Sequence, residues 1–263
     1  MTELRDKVVW VTGASGGIGE QLALQAQAAG ARVVITARRV SELQRVRAAA
    51  ADPERVAVLP ADLMDAEALP ALARQAQQCF GAVDVLVNNA GLSQRSLLRD
   101  TEMAVYRQLM ELDYFVPVAL TRELLPAMLE RGGGHVVVIS SVAGKIGVPL
   151  RSGYCAAKHA LHGFYDAARA ELHDQGLRFT IACPGFVQTD VSRNALSGSG
   201  AAHGELDEAI AKGISPQLCA RKIWAAVAAE REELVIGKEA YAVALKRLAP
   251  GLLSKILRRA KVR

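Results

Sequence analysis

Short runs of β-branched and aliphatic residues alternate along this chain with segments of helix length. Within the longer segments, apolar residues recur at three- and four-residue spacing, as at Ile18, Leu22 and Ala26, which is the period of a helix buried on one face. Such alternation implies right-handed crossovers between parallel strands covered by helices. We therefore predict an α/β domain with a doubly wound parallel sheet of about seven strands, near residues 8–11, 32–36, 56–59, 83–87, 135–140, 178–183 and 234–236.

The composition favours the same architecture. Hydrophobic residues make up 51% of the 263 residues and aromatic residues only 5%, which is typical of strands covered on both faces by aliphatic helices. No linker or repeat divides residues 1–237, so we predict that they form a single domain. Residues 190–213 are rich in Ser, Gly and Ala, and so long a loop in a compact domain predicts a mobile flap.

The net charge of +5 is concentrated near the end of the chain. Residues 238–263 carry eight Lys or Arg and one acid, whereas residues 1–237 carry 24 basic and 26 acidic side chains. No basic stripe interleaved with aromatic residues is present, so we expect no nucleic-acid partner. The four cysteines show no paired or zinc-type spacing, and we expect the five histidines to form no ligand cluster. No signal peptide or membrane-spanning run is predicted. We expect no metal site, reduced thiols and a cytoplasmic location.

A glycine-rich turn joins the first predicted strand to the first helix, in the sequence Thr-Gly-Ala-Ser-Gly-Gly-Ile-Gly over residues 12–19. Glycines allow the backbone to approach a pyrophosphate closely, and the helix N-terminus presents free N–H groups to the phosphate charge. A tight turn without a ligand would use the same residues, so the turn alone is weak evidence. The predicted phosphate-binding residues are Gly13, Ser15, Gly16, Gly17, Ile18 and Gly19.

The end of the second strand predicts which dinucleotide binds. NAD-binding folds usually place an acidic residue there, about 20 residues after the glycines, to hold the ribose hydroxyls. Here Ala37 takes that place and Arg38 and Arg39 follow it. A guanidinium group pairs with a 2′-phosphate, whereas a carboxylate would repel it. We therefore predict NADP(H), with a solvated arginine pair at a helix start as the alternative.

Three residues have the pattern of a carbonyl-reducing site. Ser141 follows the fifth predicted strand, and Tyr154 and Lys158 are four residues apart, on one face of a helix. A tyrosine can donate a proton to a carbonyl oxygen while hydride reaches the carbon, and we expect the lysine cation to lower the tyrosine pKa. A serine hydroxyl can hold the substrate oxygen.

Taken together, these motifs resemble the short-chain dehydrogenase/reductase family over roughly residues 5–237. The resemblance implies a Rossmann-like fold and hydride transfer between NADP(H) and a carbonyl or alcohol. It implies catalytic roles for Ser141, Tyr154 and Lys158, the lysine also holding the nicotinamide ribose, and Ser141 fits the family spacing better than Ser140. It adds an adenine-side group and a nicotinamide-side group to the cofactor contacts: Asp62, Leu63, Asn89, Ala90 and Gly91, and Pro184, Gly185, Val187 and Thr189.

One position departs from the family pattern. Its fourth catalytic residue is usually an asparagine in the helix after the Asn-Asn-Ala-Gly segment, and here Asp113 takes that place. A backbone carbonyl at this position could hold a relay water equally well in either residue. An ionised aspartate, however, cannot donate the hydrogen bond that an amide donates.

The resemblance also implies a homodimer or homotetramer that packs through residues 101–130 and 153–174. The substrate is hardly encoded, but Ile146, Val148 and Leu150 suggest apolar pocket walls or else local packing. Two other functions stay open: a non-catalytic NADP(H)-binding sensor or scaffold, and a dehydratase or epimerase on the same fold.

Beyond the resemblance, residues 238–263 form a basic tail in which two stretches of helical spacing flank Pro250 and Gly251. An amphipathic basic helix can lie on an anionic membrane, here the inner membrane face, and it can equally pack on the body or on a second subunit. The apolar stripe consists of Tyr241, Leu245, Leu248, Leu252, Leu253, Ile256, Leu257 and Ala260, opposite Lys246, Lys255, Arg258 and Lys261, with Arg247 and Arg259 nearer the edges.

Overall fold

A computed structural model, which describes residues 3–259, contains one seven-stranded sheet in which every pairing is parallel. The strand order is β3-β2-β1-β4-β5-β6-β7, so the direction of winding reverses between β1 and β4. This confirms the predicted doubly wound parallel sheet. The strands are β1 (Val8–Thr12), β2 (Arg32–Thr36), β3 (Val56–Val58), β4 (Val85–Asn88), β5 (Gly134–Ile139), β6 (Leu177–Pro184) and β7 (Glu233–Ile236).

Helices cover both faces of this sheet because alternate strand residues point to opposite sides. In β1, Val9 and Val11 belong to one apolar core, whereas Val8 and Trp10 belong to the other. The first core is closed by helices α1 (Gly17–Ala28), α2 (Val40–Ala48) and α8 (Pro216–Ala228), and the second by α3 (Leu69–Phe80), α5 (Val116–Glu130) and α6 (Ser152–Leu172).

The other helices lie around the carboxyl end of the sheet and in the tail. Helix α4 (Met103–Met110) runs into α5 through a π-helical turn, Glu111–Phe115, which widens the helix and buries Asp113. The remaining helices are α7 (Glu208–Ala211), α9 (Ala240–Leu248) and α10 (Pro250–Arg259). No helix in residues 3–259 is long and apolar enough to cross a membrane.

The loop of residues 190–213 packs on the body. Leu196 forms a β-bridge with Gln94, and the Arg95 N–H donates to the Leu196 carbonyl at 2.8 Å. Nearby, the carboxylate of Asp207 accepts from Arg95 at 2.6 Å and from Arg151 at 3.1 Å. These contacts tie the loop to the segments after β4 and before α6, and its mobility stays a prediction.

One side of the tail packs on the body as well. Leu253 is buried in a small apolar cluster with Val142 and Ile146, and the Lys246 ammonium donates to the Lys145 carbonyl at 2.8 Å. Two residues assigned to the amphipathic pattern, Ala260 and Lys261, lie outside the described residues. The tail therefore contacts the loop that directly follows Ser141.

Candidate active site

The glycine-rich turn lies where β1 and β4 part, which is the position of ligand sites in doubly wound sheets. Gly13 and Gly17 have φ angles of 65° and 59°, a region that residues with a Cβ rarely adopt. A Cβ on Gly13 would also lie 2.7 Å from the Ala90 Cα. The turn therefore needs glycine at both positions for backbone reasons.

Asn89 fixes the turn from the neighbouring strand. Its side-chain amide donates to the carbonyls of Thr12 at 2.9 Å and Gly13 at 3.1 Å. A Cβ on Gly19 would collide with that same amide, and Gly19 does not line the cleft. Gly19 therefore faces Asn89 and lets the helix pack against the turn, and a cofactor contact at Gly19 stays a prediction.

A cleft of about 640 Å³ opens at the carboxyl edge of the strands. It reaches from the glycine turn, past the end of β2, to the start of α6. The residues along it therefore fit a ligand of dinucleotide size. A Cβ on Gly16 would meet nothing within 4 Å, which leaves the turn open toward the cleft. Apart from Gly19, all of the predicted cofactor residues line this cleft: Gly13, Ser15, Gly16, Gly17, Ile18, Arg38, Arg39, Asp62, Leu63, Asn89, Ala90, Gly91, Tyr154, Lys158, Pro184, Gly185, Val187 and Thr189.

The two arginines after β2 form the basic wall of the cleft. Both side chains are exposed, and among residues 3–259 neither forms an ion pair. Asp62, in the neighbouring segment after β3, accepts from the Met64 N–H at 3.0 Å. Arg38 and Arg39 are thus available to an anionic group on a ligand.

Ser140 and Ser141 differ in their contacts. The Ser140 hydroxyl is buried, donates to the Lys158 carbonyl at 3.3 Å and lies 3.2 Å from His162 Nε2. The Ser141 hydroxyl accepts from the Ala143 N–H at 3.1 Å and interacts with Tyr154. These contacts favour Ser141 as the serine that faces a substrate and give Ser140 a structural role.

Tyr154 and Lys158 lie one turn apart in α6 and both line the cleft. The Lys158 ammonium is buried, donates to the Ile139 carbonyl at 3.2 Å and lies 5.8 Å from the centroid of the Tyr154 ring. Burial raises the pKa of Tyr154 above its usual value, Asp113 raises it further, and Ser141 opposes them. The net pKa of Tyr154 is therefore raised and not lowered as expected, so Tyr154 carries its proton in this state.

Asp113 is fully buried behind Lys158 and does not line the cleft. Its Oδ1 accepts from the Leu92 N–H at 2.7 Å, and its Oδ2 lies 3.9 Å from the Lys158 Nζ. Burial raises the pKa of this carboxyl to about 6, against the opposing effects of Lys158 and the Leu92 N–H. Asp113 therefore acts on the site through Lys158 and Tyr154, and its direct contact with reacting atoms is not supported.

A polar cluster that the sequence spacing did not reveal lies behind Ser141. His162, Cys183 and Glu233 bring ligand-type atoms within 4.8 Å of one another, so the interpretation that no histidine joins such a cluster was wrong. The three residues come from α6, β6 and β7, and no local spacing links them. Burial raises the pKa of Cys183 to about 12, and Glu233 pairs with Lys145.

The outer wall of the cleft also differs from the expectation. Ile146 and Val148 pack with the tail around Val142, so the local-packing alternative is correct for them and they are not pocket walls; Leu150 does not line the cleft either. The side chains missed by sequence reasoning come mostly from loops: Leu92, Gln108, Leu112, Val191, Asn194, Leu196 and Ala202. The one sequence signal for these residues was the Ser-, Gly- and Ala-rich composition of residues 190–213, which predicted a flap there.

The comparisons agree with this arrangement. The sequence model of the short chain dehydrogenase family matches residues 7–199. Dehydrogenase/reductase SDR family member 7B of Bos taurus is 41% identical, covering 97% of this chain and 81% of that protein. The SDR family member 7 of Homo sapiens is 48% identical over 202 residues, covering 74% of this chain and 60% of that protein. The chain belongs to the short-chain dehydrogenase/reductase family.

Solved structures give the same result for the fold. A short-chain dehydrogenase from Streptomyces avermitilis is 34% identical with a TM-score of 0.81, covering 96% of both chains. A family member from Burkholderia phymatum, crystallised with NAD, has a TM-score of 0.84 at 23% identity. As a family member, the protein is an oxidoreductase that uses a nicotinamide dinucleotide and acts on a small molecule.

Proposed function

We propose that the protein is an NADP(H)-dependent carbonyl reductase or alcohol dehydrogenase with a Ser-Tyr-Lys mechanism. The observation that carries this proposal is a single cleft lined by the glycine turn, the Arg38–Arg39 pair and the Ser141, Tyr154 and Lys158 side chains. NADP(H) is favoured over NAD(H) because two exposed guanidinium groups, those of Arg38 and Arg39, replace the usual acid at the end of β2. We propose NADPH as the physiological donor, so the reducing direction predominates.

The nicotinamide supplies or accepts the hydride when it is bound. In the reducing direction, the protonated Tyr154 hydroxyl donates its proton to the substrate oxygen, and burial keeps that proton in place until transfer. Ser141 holds the same oxygen through its hydroxyl. Lys158, close to the Gly91 backbone and to Asp113, has the position to hold a ribose hydroxyl and to replace the proton through that hydroxyl.

An apolar substrate is favoured by the outer wall of the cleft. Leu196 bridges Gln94, whose side chain accepts from the Gly153 N–H at 2.7 Å, so Leu196 lies near the start of α6 and hence near Tyr154. Leu92 and Ala202 line the same cleft. A panel of aldehydes, ketones and alcohols of increasing apolar size, followed at the NADPH absorbance band, tests this assignment.

Tyr154→Phe tests the catalytic assignment. The change removes one hydroxyl and keeps the ring, so turnover should fall at least about a hundredfold while NADPH binding changes little. The matched control is Tyr106→Phe, because Tyr106 is a hydroxyl-bearing ring on α4 that does not line the cleft. Turnover of Tyr154→Phe within a few-fold of the parent would refute the mechanism.

Arg38→Asp tests the cofactor preference. A charge-assisted pair is worth roughly 1.5–3 kcal/mol, so NADPH binding should weaken more than tenfold and NADH binding much less. Binding is measured by fluorescence titration with both cofactors, and Arg221→Asp on α8 is the exposed control, since Arg221 does not line the cleft. A parent enzyme that already prefers NADH contradicts the argument.

Two alternatives have separate tests. A non-catalytic NADP(H)-binding sensor gives cofactor binding with no turnover of any carbonyl, and the buried Asp113 is the feature that favours it. A dehydratase or epimerase gives product without cofactor consumed in proportion.

We also propose a homodimer or homotetramer packed through the long helices, because Met103 and Phe115 are 61% and 50% exposed on α4 and the turn after it. Light scattering of the parent and Phe115→Ser tests that assembly.

A further inference from the structure

The tail exposes several large apolar side chains. Tyr241 and Leu248 are 82% and 83% exposed, and Leu252 and Ile256 are 52% and 49% exposed. Four of the ten large apolar side chains exposed within residues 3–259 therefore lie in this short stretch. We call these four residues the tail face.

The tail face is distinct from the side of the tail that packs on the body. In α10, Leu253 and Leu257 are one turn apart and contact the cluster around Val142 and Ile146. Leu252 and Ile256 are also one turn apart, each one position earlier, so they form a neighbouring stripe directed to solvent. The body thus covers one apolar stripe of α10 and leaves the second uncovered.

Basic side chains share the tail with this uncovered stripe. Within residues 238–259, Lys238, Lys246, Arg247, Lys255, Arg258 and Arg259 are all exposed, and Glu239 is the single acid. Lys246 donates to the Lys145 carbonyl, and none of the six forms an ion pair in the part of the chain that the structure describes. Their charge is therefore available to an external partner.

We propose that the tail face docks on an anionic bilayer surface, with α9 and α10 lying in the interface. The exposed Leu and Ile side chains would enter the acyl boundary, and the flanking Lys and Arg would meet lipid phosphates. Tyr241 suits the same depth, since its ring is apolar and its hydroxyl polar. The inner stripe stays packed on the body, so docking requires no rearrangement of the loop after Ser141.

A second copy of the chain is a poorer occupant of this face. A two-fold contact would bring the tail face of each protomer against the same face of the other, and with it two groups of unpaired like charges. Like charges brought together at a desolvated contact oppose association. An anionic surface removes that repulsion and uses the charge.

The experiment is sedimentation of the full-length protein with phosphatidylglycerol-containing vesicles and with neutral phosphatidylcholine vesicles, at low and high salt. Binding should occur on the anionic vesicles at low salt and weaken as salt screens the charges. Lys255→Gln with Arg258→Gln should weaken binding about 25-fold, at roughly fivefold for each charge. Arg221→Gln with Lys222→Gln is the matched control, because it removes an exposed Arg and Lys from α8.

A second variant tests the apolar component. Leu248→Ser with Leu252→Ser should weaken vesicle binding at least about tenfold, while Leu98→Ser, 73% exposed elsewhere, should not. Thermal unfolding of every variant verifies that the fold is intact. The proposal is overturned if the parent ignores anionic vesicles, if it binds neutral ones equally well, or if the α8 control weakens binding as much. It is also overturned if the Leu248 and Leu252 changes alter oligomer size and leave vesicle binding unchanged.

Discussion

Replacing Asp113 with asparagine should make the stability of the protein less dependent on pH. The carboxyl is fully buried, and burial raises its pKa from an ordinary value of 3.8 to about 6. The folded state therefore binds a proton more readily than the unfolded state does. Stability from this group is fully present below pH 3.8 and is lost as the pH rises through 6.

The size of the effect follows from that shift. A change of about 2 pKa units corresponds to roughly 3 kcal/mol, of which roughly 1 kcal/mol is lost between pH 5 and pH 7. An asparagine stays neutral throughout, and its Oδ1 can still accept from the Leu92 N–H. Relative to the parent, Asp113→Asn should gain about 1 kcal/mol in the free energy of unfolding over that interval.

The assay is urea unfolding of both proteins without cofactor at several values between pH 5 and pH 8. With a urea slope of about 3 kcal/mol/M, the unfolding midpoint of the variant relative to the parent should rise by about 0.3 M from pH 5 to pH 7. Asp166→Asn, an exposed carboxyl on the same α6 that carries Lys158, is the control. A stability difference between variant and parent that is constant with pH would show that Asp113 does not titrate as its burial implies.

Three further changes test the supports of the cleft. Ser141→Ala should lower kcat about a hundredfold. Ser140→Ala should chiefly lower the melting temperature, since the Ser140 hydroxyl donates to the Lys158 carbonyl of α6. Equal kcat losses in the two variants would argue against Ser141 as the catalytic serine. Asp207→Asn removes the carboxylate shared by two half-buried arginines, so proteolysis within residues 190–213 should accelerate several-fold and substrate KM should rise. Unchanged cleavage rates would mean that this carboxylate does not hold the loop on the body. Leu253→Ala should lower the free energy of unfolding in urea by about 2–3 kcal/mol, because the Leu253 side chain is buried against the loop after Ser141. A loss below about 0.5 kcal/mol would mean that the tail is only loosely attached to the body.

The asparagine at Asp113 should also affect catalysis. Turnover is expected to be unchanged or higher, because the variant restores the usual family residue without changing volume. Asp113 raises the pKa of Tyr154, which must lose its proton to act as the base in alcohol oxidation, so the ascending limb of the oxidation rate profile should move to lower pH in the variant. A large loss of turnover would give the carboxylate itself a role in the proton relay.

Local sequence pattern determined the architecture of this protein. Each strand is a short β-branched run and each covering helix has its own apolar stripe, so seven strands and their parallel winding could be predicted from neighbours within about fifteen residues. The glycine turn, the Arg38–Arg39 pair and the Tyr154–Lys158 spacing are local for the same reason. These residues meet in one cleft because parallel strands all end at the same edge of the sheet.

Only the tertiary structure determined the burial and the contacts of the residues around these motifs. The burial of Asp113 beside Lys158 depends on packing the π-helical turn against α6, and the grouping of His162 with Cys183 and Glu233 depends on three distant elements. From the sequence alone, Ile146 could face either the cleft or the tail. In the structure its side chain is buried against Leu253 of the tail. Burial and charge partners arise from contacts between residues far apart in the chain, so no local spacing can fix a pKa or the direction in which a side chain points.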